Sequence, residues 1–108
     1  MAHYLFQASY TTAAWAAFLK NPQDRSKAVQ GAIEELGGRL EGFWMSFGES
    51  DVVGVARMPD NISMAAFSMA VSAGGACKSV KTTPLMTTDE GQAAMKKAAA
   101  SQYRSPSA

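Results

Sequence analysis

The sequence predicts an α+β domain: a four-stranded antiparallel sheet with helices on one face, its elements ordered β-α-β-β-α-β. Three observations carry that reading. A chain of 108 residues is the size of one domain. Strand-like stretches at 2–10, 39–47, 51–58 and 77–86, the first of them breaker-free and rich in apolar and aromatic residues, are interspersed with segments of helical period. The middle two stretches are joined only by Gly48-Glu49-Ser50, a connection of hairpin length.

Each element follows from its residues. Ala2 to Tyr10 reads as a strand, and Thr11-Thr12 after it can cap a helix over Ala13 to Leu19. Asn21-Pro22 interrupts that helix, since a residue before proline is pushed out of the α region. Asn21 as N-cap, Pro22 at the first helical position and Asp24 in the first turn then predict a restart, with Ala28, Val29, Ala32, Ile33 and Leu36 as its apolar stripe. Gly37-Gly38 ends it. Arg39 to Phe47 and Asp51 to Met58 form the hairpin, and Pro59-Asp60-Asn61 opens a helix carrying Ile62, Ala65, Ala66, Met69, Ala70 and Ala73 at helical spacing up to Gly74-Gly75. Cys77 to Met86 reads as the last strand; Pro84 lacks the amide a central strand needs, so this strand belongs at an edge. Thr88 can cap a short helix to about Ala100. The domain therefore spans 1–100, and 101–108, with little to bury, is expected to be a frayed tail. The order is the ferredoxin-like split βαβ pattern, in which the last strand does lie at an edge.

Composition bounds the function. Ten basic against nine acidic residues give a net charge of +1 with no basic stripe, which argues against nucleic acid as a partner. One cysteine, Cys77, allows neither an internal disulfide nor a thiolate zinc cage. The opening Met-Ala-His-Tyr has no leader-like pattern and no apolar run approaches the roughly 20 residues of a membrane span, so a cytoplasmic protein with no membrane partner is expected. No cofactor and no metal site is called for.

Strand alternation sorts residues onto a helix-covered and an open face. Tyr4, Phe6, Ala8 and Tyr10 with Val52, Gly54, Ala56 and Met58 are expected beneath the helices. His3, Leu5, Gln7 and Ser9, then Asp51, Val53, Val55 and Arg57, then Glu41, Phe43, Met45 and Phe47, and Lys81, Thr83 and Leu85 are expected on the open face. That face is too apolar to leave in water, which points to two sheets packed in a two-fold dimer or a higher homo-oligomer.

Lys20-Asn21-Pro22-Gln23-Asp24-Arg25, Leu36-Gly37-Gly38-Arg39-Leu40, and above all Phe47-Gly48-Glu49-Ser50-Asp51-Val52-Val53 followed by Met58-Pro59-Asp60 resemble the GYD-domain family over roughly residues 2–90. The resemblance implies the dimeric α/β-barrel variant of the ferredoxin-like fold. It also implies a superfamily whose relatives include cofactor-free monooxygenases, lactone isomerases and haem-handling proteins, a breadth from which function does not follow. The family's hairpin motif falls on Gly48, Ser50 and Asp51, with Ser50 where a tyrosine is usual.

Several residues have the chemistry for a site. His3, the only histidine, suits a general base or a ligand, or is simply a polar strand-end residue. Asp51, near Glu49, suits a proton-transfer role or bonding of turn amides. Lys20 and Arg25 flank the Asn21-Pro22 break, where a cation can hold a carboxylate or phosphate or pair with Asp24. Arg57 and Lys81 on the open face can attract an anion or pair with Glu41 or Asp51. The first expectation is a homo-oligomer binding a small organic molecule, in a pocket between sheet and helices or between two sheets, with Phe43, Met45, Val53 and Val55 as apolar walls and His3, Arg57 and Asp51 as polar anchors. The alternatives are a cofactor-independent monooxygenase or isomerase with His3 or Asp51 as base, and a purely structural assembly module.

Overall fold

The computed structural model describes residues 1–107; the last residue of the expected tail, Ala108, lies outside the described residues. The elements in chain order are β1 (Ala2–Tyr10), α1 (Thr12–Lys20), α2 (Ser26–Glu35), β2 (Arg39–Met45), β3 (Val52–Met58), α3 (Asn61–Ala73), β4 (Cys77–Leu85) and α4 (Thr88–Ala99). The strands form one antiparallel sheet in the order β2-β3-β1-β4. This is the ferredoxin-like arrangement, with β4 at an edge where Pro84, opposite Tyr4, forfeits no inner ladder bond.

The helix starts follow their caps. The Thr11 hydroxyl accepts from Ala14 N (3.1 Å), the Asp60 carboxylate from Ser63 N (2.8 Å), and Thr87 with Glu90 closes a reciprocal capping box. One expected start is corrected: α2 begins at Ser26, not at Asn21-Pro22. Asn21 N still donates to Ala17 O, which makes Asn21 the C-cap of α1, and α2 has Arg25 as its N-cap without a side-chain bond, preceded by Asp24, whose carboxylate accepts from Ser26 N (2.9 Å). Gly37 takes a left-handed φ of +83° just past α2, which a side chain would resist.

The second correction concerns β2. Its register against β3 slips between Leu40 and Gly42, and this bulge reverses the alternation beyond it. Phe43 stands opposite Gly54 and Met45 opposite Val52, so both lie on the helix-covered face and not on the open one. Phe47 falls beyond the end of β2. On the covered face the rows across the sheet are Leu40–Ala56–Tyr4–Pro84, Phe43–Gly54–Phe6–Thr82 and Met45–Val52–Ala8–Val80. On the open face they are Arg39–Arg57–His3–Leu85, Gly42–Val55–Leu5–Thr83 and Trp44–Val53–Gln7–Lys81.

The main core joins Tyr4, Phe6, Ala56 and Met58 of the sheet to Ile33 of α2 and Met64 and Phe67 of α3. A second cluster gathers Ala8, Tyr10 and Val52 under Trp15 and Phe18 of α1. Gly54 leaves room for the Phe6 ring, which stacks on Phe43 (centroids 6.2 Å apart) and meets Phe67 edge-on (5.3 Å). No residue of α4 is buried. The radius of gyration of 17.4 Å exceeds the roughly 13 Å of a compact chain of this length, consistent with α4 standing off the body. Among the described residues no helix is long and apolar enough to cross a membrane.

Candidate functional site

α2 packs over β2 and α3 over β4 and β3, and between the two helices the sheet is left uncovered above β1 and β3. The gap is a cavity of about 420 Å³. Its floor is Phe6, Ala8, Phe43, Val52 and Val80, and its walls combine Ala28 and Ala32 on α2 and Ala66 and Ala70 on α3 with the larger Val29, Leu36, Phe67 and Val71. Each alanine pair is spaced i, i+4, so each helix turns one stripe of methyl groups toward the gap where larger side chains would have closed it. A second cavity of about 380 Å³ lies under α1 and the loop after it, lined by Trp15, Phe18, Leu19 and Met45 among others. Tyr10, Arg25, Phe43 and Val52 line both.

At this shared boundary sit the polar groups. Tyr10 is 8% exposed, wedged edge-on between Trp15 and Phe18, and its hydroxyl makes no hydrogen bond among the described residues. Burial raises its phenol above the usual value, with Cys77 and Asp51 adding to the rise and Arg25 opposing it, so it is a neutral donor at ordinary pH. Cys77, opposite Tyr10 in the β1–β4 ladder, is likewise raised by burial and then by Asp51, and stays a thiol. Arg25 is exposed, touches Gln23 Oε1 (3.3 Å) and forms no ion pair among the described residues.

Asp51 has a structural position. One carboxylate oxygen accepts from Tyr10 N (2.8 Å) and Trp15 Nε1 (3.3 Å), while its backbone bonds Ala8 O and Ser46 N. It fastens the end of β1 to α1 and to the β2–β3 connection. Glu49 is exposed and engages through its carbonyl, which accepts from Ser9 Oγ (3.0 Å). His3 lies at the other end of β1 on the open face, between Arg57 and Leu85. His3 and Asp51 therefore share no cavity. Arg57 approaches Glu41 within its own chain (Nε to Oε1, 3.5 Å). Val53, Val55 and Lys81 are on the open face as expected, and exposed Lys20 ends α1 away from both cavities. Phe43, Met45 and Arg25 do line cavities, Phe43 and Met45 on the opposite face from the one expected. Missed by sequence reasoning were Tyr10 and the facing alanine pairs; the i, i+4 spacing of alanines on both helices was the available signal.

Among the described residues no cluster of three or more His, Cys, Asp and Glu side chains is placed to hold a metal ion.

One solved structure, MtbAldR, supports the fold, and others are similar to the chain. The chain superposes on MtbAldR with a TM-score of 0.56 at 10% identity, covering 80% of this chain and 52% of that one, so it spans about half the length of MtbAldR. An uncharacterized NIPSNAP domain protein from Burkholderia xenovorans is similar at 18% identity and TM-score 0.49, covering 81% of this chain and 94% of that one. TTHA0845 from Thermus thermophilus is similar at 16% identity and TM-score 0.48, covering 81% and 95%. No curated protein matches the chain. The GYD domain profile matches residues 4–95, a span from β1 into α4 that includes every residue lining the two cavities, and by that match the chain belongs to the GYD domain family.

Proposed function

We propose that this chain binds a small organic molecule in the cavity between the sheet and helices α2 and α3, and that it does so as a homo-oligomer paired through its open sheet faces. The observation that carries the first part is the cavity of about 420 Å³ walled by alanines over an aromatic floor, a volume within the range of small-molecule sites. Pairing is supported by the open face itself: Leu5, Val53, Val55 and the 58% exposed Trp44 form an apolar strip uncovered by any helix of the same chain.

The cavity is tested by filling it. The double variant Ala32→Leu, Ala66→Leu is expected to keep or raise the thermal midpoint, because its new methyl groups enter empty space. It is also expected to weaken saturable binding of the neutral dye Nile red by at least roughly tenfold, since the dye would need the filled volume. Equal dye binding by the filled and wild-type proteins, or none by the wild type, overturns the reading.

A further inference from the structure

The boundary between the two cavities sets the chemical class of the ligand. Tyr10, Arg25, Phe43 and Val52 line both spaces, so the two cavities adjoin at an elbow that carries polar groups between apolar arms. Two donors stand at that elbow. The Tyr10 hydroxyl belongs to a residue more than nine-tenths buried, yet it has no partner among the described residues. The hydroxyl oxygen itself is open to the cavity, so a ligand oxygen there takes the place of water as its partner. The Arg25 guanidinium carries a positive charge that no carboxylate in the described residues neutralises.

We infer that the ligand is an apolar molecule bearing one carboxylate, its oxygens taking a hydrogen bond from the Tyr10 hydroxyl and the charge of Arg25. This rests on the cavity being a ligand site. The other titratable groups around the site are Asp51, Cys77, Asp24 and Glu35. Asp51 is engaged with Tyr10 N and Trp15 Nε1 behind the elbow. Cys77 remains an uncharged thiol. Two carboxylates belong to the lining: Asp24, beside Arg25 in the second cavity, already accepts from Ser26 N (2.9 Å), and Glu35 ends α2 ten residues after Arg25, about 15 Å along the helix. An anion is thus favoured at the Arg25 end and disfavoured at the Glu35 end, while the hydrocarbon lies along Phe6, Phe43 and the alanine walls.

Calorimetric titration with naphthylacetate and its uncharged counterpart naphthylacetamide tests this. The wild type is expected to prefer the acid by at least roughly tenfold, the scale of one charge-assisted hydrogen bond. Arg25→Gln, at an exposed position, is expected to erase that preference, and Arg25→Lys to restore part of it. Tyr10→Phe, which removes a single oxygen, is expected to weaken both probes by about five- to tenfold, because either can accept from the phenol. Equal affinity for acid and amide, no binding of the acid, or a preference that survives Arg25→Gln overturns the carboxylate assignment. If Nile red still distinguishes the alanine-to-leucine variant from wild type in that case, the cavity remains a ligand site and only the ligand class fails. If the filled variant binds Nile red and naphthylacetate as the wild type does, both readings fail together.

Discussion

Each face of the sheet carries an aromatic ring lying against a glycine, and the two pairs lead to different surfaces. On the covered face Phe6 sits in the space left by Gly54, closed in by Phe43 and Phe67, and is 3% exposed. On the open face Trp44 occupies the space left by Gly42, two residues back in β2, and is 58% exposed. The first pairing produces a rigid aromatic floor, and the alanine-walled cavity stands on it. The second keeps a large ring low along the strand, next to Val53 and Val55, which leaves an apolar surface flat enough to meet another sheet. The same device therefore serves enclosure on one side and exposure on the other, and what decides between them is whether helices cover the face.

Neighbouring residues in β3 test that contrast. Gly54→Val is expected to cost about 3 kcal/mol in urea unfolding, because the new Cβ overlaps the Phe6 ring, which has Phe43 and Phe67 around it. A loss below about 1 kcal/mol would show that the ring moves aside and that the cavity floor is not fixed. Val55→Glu, one residue on, points the other way and touches neither core cluster. Its expected effect is smaller on the fold, within about 1 kcal/mol, and is read in assembly instead. Sedimentation should show a wild-type dimer at micromolar concentration and a variant monomer, since a buried unpaired carboxylate in the interface is strongly unfavourable. A wild type that sediments as a monomer at high concentration removes the pairing, and with it the functional meaning assigned to the open face.

Much of this was legible in the residues. Strand β1 ends where Thr11 starts a cap, α3 starts at the residue after Asp60, and Pro84 marks the edge strand, because these signals are local and chemical. The faces of β1 and β3 were legible because strict alternation holds along both. Phe43 and Met45 were assigned to the wrong face because a bulge inserts one residue without leaving a distinctive sequence mark, and every side chain beyond it changes sides. The start of α2 was misplaced because Asn21-Pro22 carries the chemistry of an N-cap while the backbone there is still completing α1. Asp51 was legible as important but not for what: its bonds to Tyr10 N and Trp15 Nε1 join residues 41 and 36 positions away, which no local pattern announces. A pocket between sheet and helices was among the expectations, but its lining was not legible beyond the alanine spacing, since it is defined by what two separate helices leave unfilled.

Helix α4 belongs to neither face, and a comparison with α3 separates local from packing contributions to a helix. Both helices open on a side-chain cap, Asp60 for α3 and Thr87 with Glu90 for α4, but α3 buries Met64 and Phe67 whereas α4 buries nothing. A helix of 12 residues without packing is marginal in water, so α4 depends on its capping box and on Asp89 and Glu90 at its first turn and Lys96 and Lys97 at its last. Thr87→Ala is therefore expected to speed hydrogen exchange of the α4 amides about fivefold, the effect of losing one cap, and to leave the β1 amides unchanged. Acid should act the same way. The backbone N–H of Thr87 donates to the Glu90 carboxylate (2.9 Å) and holds its pKa below the usual value, with smaller contributions from the Thr87 side chain and from the positive charges of His3 and the amino terminus. A depressed folded-state value means that the stabilisation is present above the ordinary glutamate pKa of about 4.3 and is lost as pH falls through the lower folded value. The α4 amides should lose protection across that acid range while α3, whose Asp60 is lowered by the Ser63 N–H in the same way, is kept by its buried residues. Protection of α4 equal to that of β1 would instead mean that α4 packs on something, and repeating the exchange on the Val55→Glu monomer would identify it: protection lost with the dimer places α4 on the second copy, and protection retained places it on its own body.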